Sequence, residues 1–149
     1  MVNSIKTETI KINKGKPIFI EGQKVEDIAL IVSGKVNITN SLSEFNSRKN
    51  SDYRVGTLAE GYMIGVPDLL LGGTYLNTYE AVSDCVIILL NINNAVDLEN
   101  FFNTETDYYT YSVCTNARMI KYLKMIINNI YSYLKELQYV DLYLSLNSE

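Results

Sequence analysis

The sequence predicts a mainly β domain, a double-stranded β-helix or jelly roll, followed by a long C-terminal dimerisation helix. Two observations carry this. Across residues 1–93 about eight short apolar segments recur at near-regular spacing between turn residues, the pattern of a sandwich or barrel built from many short strands. From residue 111 to 146 the period changes, and apolar positions fall alternately three and four apart, as on one face of a helix. Residues 94–110 join the two as a short helix and hinge.

The elements follow in order. Ile10 with Ile12 and Ile18 with Ile20 alternate on either side of Asn13-Lys14-Gly15-Lys16-Pro17, giving strand, turn, strand. Ile28–Val32 is a continuous apolar run. Ser33-Gly34 is a tight turn, and Val36 and Ile38 alternate beyond it, so a hairpin fits. Asn40–Asp52 is rich in Ser and Asn without periodicity and reads as a loop before a strand at Tyr53–Leu58. Leu76–Val82 and Cys85–Ile92 complete the strands.

Tyr62–Val82 (YMIGVPDLLLGGTYLNTYEAV) organises this half, because it places a glycine turn, a one-turn helix and a second glycine turn between two strands. Gly65 allows a positive φ or a close approach, and Pro67 suits the first turn of a helix, where its missing N–H is not needed. Asp68–Leu71 forms the short helix and Gly72-Gly73 ends it. A loop of this shape can hold a small ligand, with free N–H groups at the helix start facing an anion. It serves equally as a plain turn between strands.

The long helix carries Val113, Asn116, Ile120, Leu123, Ile127, Ile130, Leu134, Leu137, Asp141 and Leu144 in a heptad register, eight of the ten apolar. Met119, Ile126, Tyr133 and Val140 widen the stripe, so one face can pack on the β-domain while the seam meets a second copy. Asn116 at a seam position favours a partner, since a seam asparagine fixes register and oligomer state. The alternative is a single helix lying on its own barrel.

Composition excludes several chemistries. Among 149 residues there is no histidine, so a haem axial histidine, a His-based metal centre and a Ser-His or Cys-His nucleophile are all out of reach. Two separated cysteines, Cys85 and Cys114, make neither a disulfide framework nor an iron–sulfur ligand set, and read as buried or inert thiols. The acids near Glu21, Glu26, Asp27, Glu60, Asp68 and Glu80 fall at turns and strand ends. Hence we assign no catalytic residue, no metal and no cofactor, and expect no enzyme. No apolar run reaches the roughly 18 residues of a membrane helix, and the N-terminus lacks a signal-peptide core, so a cytoplasmic protein with no membrane partner is expected.

With its glycines in register, the chain resembles the cyclic-nucleotide-binding effector domain of the CRP/FNR transcription regulators over roughly residues 10–145. The resemblance rests on KPIFIEGQKVEDIALIVSGKVNI at 16–38, VGTLAEGYMIGVPDLLL at 55–71 and NTYEAVSDCVIILL at 77–90. It implies a jelly roll, a homodimer and a small-molecule effector held at the cassette. In nucleotide-binding members the glycine matching Gly65 is followed by a glutamate that holds the ribose, and an arginine ten residues after that glycine holds the cyclic phosphate. Here those positions are Val66 and Tyr75, while Thr78 and Ala81 still match. No Lys or Arg occurs in Gly61–Ala81 to replace the lost cation, so cyclic AMP is not expected to bind in the usual way. The resemblance therefore gives Gly65, Val66, Pro67, Asp68, Leu69, Tyr75, Leu76, Asn77, Thr78 and Tyr79 as candidate ligand residues. Val66, Leu69, Tyr75, Leu76 and Tyr79 would line a cavity suited to an uncharged or aromatic ligand. Asn116, Ile120, Leu123, Ile127, Ile130, Leu134 and Leu137 are the candidate dimer interface.

Family regulators continue into a helix-turn-helix. With a net charge of −4 and a pI of about 4.9, these 149 residues carry no substitute for it, so DNA is expected as a partner only through a further C-terminal domain. Two functions follow: the effector-sensing and dimerisation module of such a regulator, or a degenerate domain that dimerises as a scaffold without a ligand. A cupin-type enzyme on the same architecture fails on the missing histidines.

Overall fold

The computed structural model describes residues 5–41 and 54–146. Its eight strands are β1 (Thr7–Ile12), β2 (Pro17–Phe19), β3 (Ile28–Ser33), β4 (Val36–Thr39), β5 (Arg54–Leu58), β6 (Met63–Ile64), β7 (Thr78–Ala81) and β8 (Cys85–Leu90). The helices are α1 (Val66–Leu71), α2 (Ala95–Thr104) and α3 (Thr106–Leu146). Two antiparallel four-stranded sheets, ordered β1-β8-β3-β6 and β2-β7-β4-β5, face each other as a jelly roll. Ile28, Ile31, Ile38, Leu58, Ile87 and Leu90 fill the space between them. The apolar run of β3 is central in its sheet, which is why Ile28 to Ile31 are all buried instead of alternating.

The ends of the two sheets explain where α3 lies. β6 ends one sheet and β5 the other, and an end strand leaves a row of backbone groups without strand partners. Helix α3 packs against both. Thr115 Oγ1 accepts from the Met63 N–H at 2.8 Å. The Tyr122 hydroxyl accepts from the Thr57 N–H at 3.3 Å and donates to the Thr57 carbonyl at 2.9 Å. Ser112, Thr115, Met119 and Tyr122 form the buried face of the helix. Gly56 makes room for it, since a Cβ there would stand 2.2 Å from the Tyr122 ring.

Four expectations change. Strand β6 lies inside the stretch read as a turn, too short at two residues to show any alternation. In β2 the buried residue is Phe19, while Ile20 is 42% exposed, because the strand is short and its pairing with β7 shifts register between Pro17 and Phe19. The hinge expected within residues 94–110 shrinks to Glu105, whose φ of −113° and ψ of 78° separate α2 from α3. Aromatic packing carries the helix through Tyr108 and Tyr109: Phe101 meets Tyr108 at 5.0 Å between ring centroids, and Phe102 meets Tyr109 at 5.7 Å. Cys85 is buried as read, but Cys114 is exposed on the outer side of α3. Tyr53 and all but the first two residues of the Asn40–Asp52 loop lie outside the described residues.

Candidate functional site: the cassette and the helix seam

The cassette begins at Gly65, which caps α1 with a φ of 103°. A side chain there would be strained, and its Cβ would also press on Ile28 Cγ2 at 3.0 Å, so the glycine lets the loop sit directly on β3. Val66 and Asp68 of the six-residue α1 are buried, Pro67 and Leu69 half-buried. Asp68 is the pivot of the loop. Its carboxylate accepts from the Leu76 N–H and, at 3.1 Å, from the Tyr79 hydroxyl, while Asn77 Nδ2 reaches the same hydroxyl at 3.5 Å. Asn40 Nδ2 donates to Asn77 Oδ1 at 2.7 Å, which joins β4 to the network. Burial raises the Asp68 carboxyl above its ordinary value, against the opposing effect of these hydrogen bonds.

Tyr75 occupies the position of the expected phosphate-binding arginine. Instead of facing a ligand it turns into the roll: its ring stacks on Phe19 at 4.4 Å between centroids, and its hydroxyl donates to the Asp27 carbonyl at 2.6 Å. Burial raises the hydroxyls of both Tyr75 and Tyr79, so each remains a protonated donor at neutral pH. Thr78 Oγ1 accepts from the Glu21 N–H at 3.0 Å, and Leu76 is 45% exposed.

The residues expected to line one cavity thus separate. Tyr75 borders a hollow of about 230 Å³ beneath β1, β2 and β8, whereas Val66 belongs to a cleft of about 480 Å³ between α1, α2 and α3. Leu98, Glu99, Phe102 and Asn103 of α2, with Ser112 of α3, complete that cleft's wall and were not singled out in the sequence. Their signal was weak: a short helix whose apolar residues also read as ordinary packing.

Most of the described seam side chains are exposed in the protomer. Val113, Ile120, Ile127, Leu134, Leu137 and Leu144 are 42–62% exposed, although apolar. Asn116 and Ile130 are half-buried, and Ile130 touches the core. The Leu123 side chain lies outside the described ones. Met119 is buried in the core and Tyr133 is half-buried. Among the described residues no helix is long and apolar enough to cross a membrane.

Residues 9–105 match the family model of the cyclic nucleotide-binding domain, and the chain belongs to that family. Its fold recurs in the haem domain of CooA from Carboxydothermus hydrogenoformans, at 12% identity over 92% of this chain and 84% of that one, with a TM-score of 0.55. A second cyclic AMP-binding domain of a protein kinase A regulatory subunit, bound to Sp-2Cl-cAMPS, matches at 15% identity over 80% and 76% of the two chains, also with a TM-score of 0.55. The catabolite activator protein of Thermus thermophilus matches at 23% identity and a TM-score of 0.46 over 95% of this chain, which spans 55% of that protein. No curated protein matches in sequence.

Proposed function

We propose that this chain is the effector-sensing and dimerisation module of a CRP/FNR-like transcription regulator. The observation that carries the proposal is the exposed heptad face of α3, on a helix whose opposite face is bonded to both sheet ends of a cyclic nucleotide-binding fold. Two such helices would pair in parallel, and occupancy of the domain would shift the population of paired arrangements. DNA contact falls, in this reading, to a separate C-terminal domain. Sedimentation equilibrium at micromolar concentration tests it. A dimer is expected, and a monomer overturns it.

The cassette does not hold a cyclic nucleotide by the usual two side chains. Losing two charge-assisted hydrogen bonds, each worth about 1.5–3 kcal/mol, weakens binding by roughly a hundredfold to more than ten-thousandfold. The inward Tyr75 favours a second reading, a scaffold without a cassette ligand, because the ring that replaces the cation is already stacked and bonded inside the roll. Calorimetric titration with cyclic AMP and cyclic GMP separates these. Low-micromolar binding of either nucleotide would show that other groups hold the phosphate.

A further inference from the structure

We propose that the cleft between α1, α2 and α3 is a binding site for a small, largely apolar molecule, neutral or cationic, that carries an N–H or O–H donor. Its volume of about 480 Å³ lies within the range of small-molecule sites. Val66 and Leu70 form one wall, Leu98 and Phe102 the second, and Val113 with Asn116 the third. These come from three separate helices, so the concavity belongs to the tertiary structure and not to one loop.

Two features choose the ligand. First, Asn116 Oδ1 is buried and has no hydrogen-bond partner in the folded protomer. A buried acceptor left unpaired is costly, and a donor brought into the cleft would relieve it after a modest rotation of the amide. Second, among the described residues that line the cleft the one charged side chain is Glu99, and none is a Lys or Arg. An anion is therefore disfavoured, which separates this site chemically from a cyclic nucleotide cassette. Val113 and Asn116 also belong to the proposed seam, so the inference rests on a pairing that leaves the cleft open between Val66, Leu70, Leu98 and Phe102; it does not depend on any ligand of the cassette.

The test uses the whole chain with labelled Ile, Leu and Val methyl groups and three probes that share one ring: indole, tryptamine and indole-3-acetate. Indole and tryptamine are expected to shift the methyl signals of Val66, Leu70, Leu98 and Val113 with a Kd below about 1 mM. Indole-3-acetate should bind about threefold more weakly than tryptamine or worse, as expected for an exposed carboxylate. Asn116→Leu should weaken indole and tryptamine about fivefold, the loss of one hydrogen bond. Glu99→Gln, at an exposed position where folding is not at stake, should weaken tryptamine alone. The proposal is overturned if no saturable shift appears at these methyls, if the shifts centre elsewhere, or if both variants bind all three probes like the parent. It is also overturned if the Val66, Leu70 and Leu98 signals, which lie off the seam, move on dilution without any probe, because a second copy of the chain would then be filling the cleft.

Discussion

The two faces of α3 are built from the same helix and differ in what completes them. On the roll side Ser112, Thr115, Met119 and Tyr122 are 2–9% exposed, and two of them bond to backbone groups at the ends of the sheets. On the seam side Val113, Ile120, Ile127 and Leu134, all apolar, are 49–62% exposed. The roll-side face is polar where it must satisfy a strand end and apolar where it meets the core, as a face adapted to one contact would be. The seam repeats by heptads, which is the geometry of another helix and not of a sheet end. The first face is completed within the protomer, and the second is the one the proposed dimer would cover.

Charge placed on the seam gives the largest expected effect. Replacing Ile120 and Ile127 together with Glu would bury unpaired carboxylates between helices, at a cost of several kcal/mol, so the dimer constant should weaken more than a hundredfold by light scattering. Protomer melting should hardly change, since both positions are exposed. An unaltered dimer would remove the seam from the interface. Met119→Ala acts on the other face and should lower unfolding stability by about 2–3 kcal/mol in denaturant titrations, within the range for truncating a buried methionine. Gly56→Ala forces the Tyr122 ring aside and is expected to cost about 1–3 kcal/mol. That cost should shrink in a Tyr122→Ala background, and additivity would show that the two residues do not meet.

The smallest effect concerns Asp68, which touches neither face. Its folded pKa is raised above the unfolded value near 3.8, so its contribution to stability is fully present below that value and is lost as pH rises through the folded pKa. Asp68→Asn removes this loss. The melting temperature of the variant relative to the parent should rise as pH increases above the unfolded value near 3.8. A difference that is flat or falls with pH would contradict the raised pKa, and a shift in dimer constant would show that the cassette reaches the seam.

Much of the fold was legible because strands and helix write different periods. Alternation located β1 and β4, the short apolar runs between turns located β3 and β8, and the heptads located α3. What was not legible depends on distant partners: Phe19 rather than Ile20 is buried where the short β2 shifts its pairing with β7 and Tyr75 stacks on the Phe19 ring, and the Glu105 break is tight because rings of α2 hold the start of α3. In the cassette, the replacement of the expected glutamate and arginine by Val66 and Tyr75 could be read directly. The inward turn of Tyr75 could not, since it depends on the Asp27 carbonyl and on Phe19 from other strands. The cleft was hidden for the same reason, because no single segment contains enough of its wall.

Helix α3 is much longer than the surface that grips it. Among the described residues its last contact with the core is Ile130, yet the helix continues to Leu146. At about 1.5 Å per residue this leaves an arm of roughly 24 Å, so a tilt of about 10° at Ile130 sweeps Leu146 sideways by some 4 Å. A bend confined to the residues beyond Ile130 leaves the bonds of Tyr122 to Thr57 and of Thr115 to Met63 in place, so the far end of the helix can move that far without loosening its grip on the sheet ends.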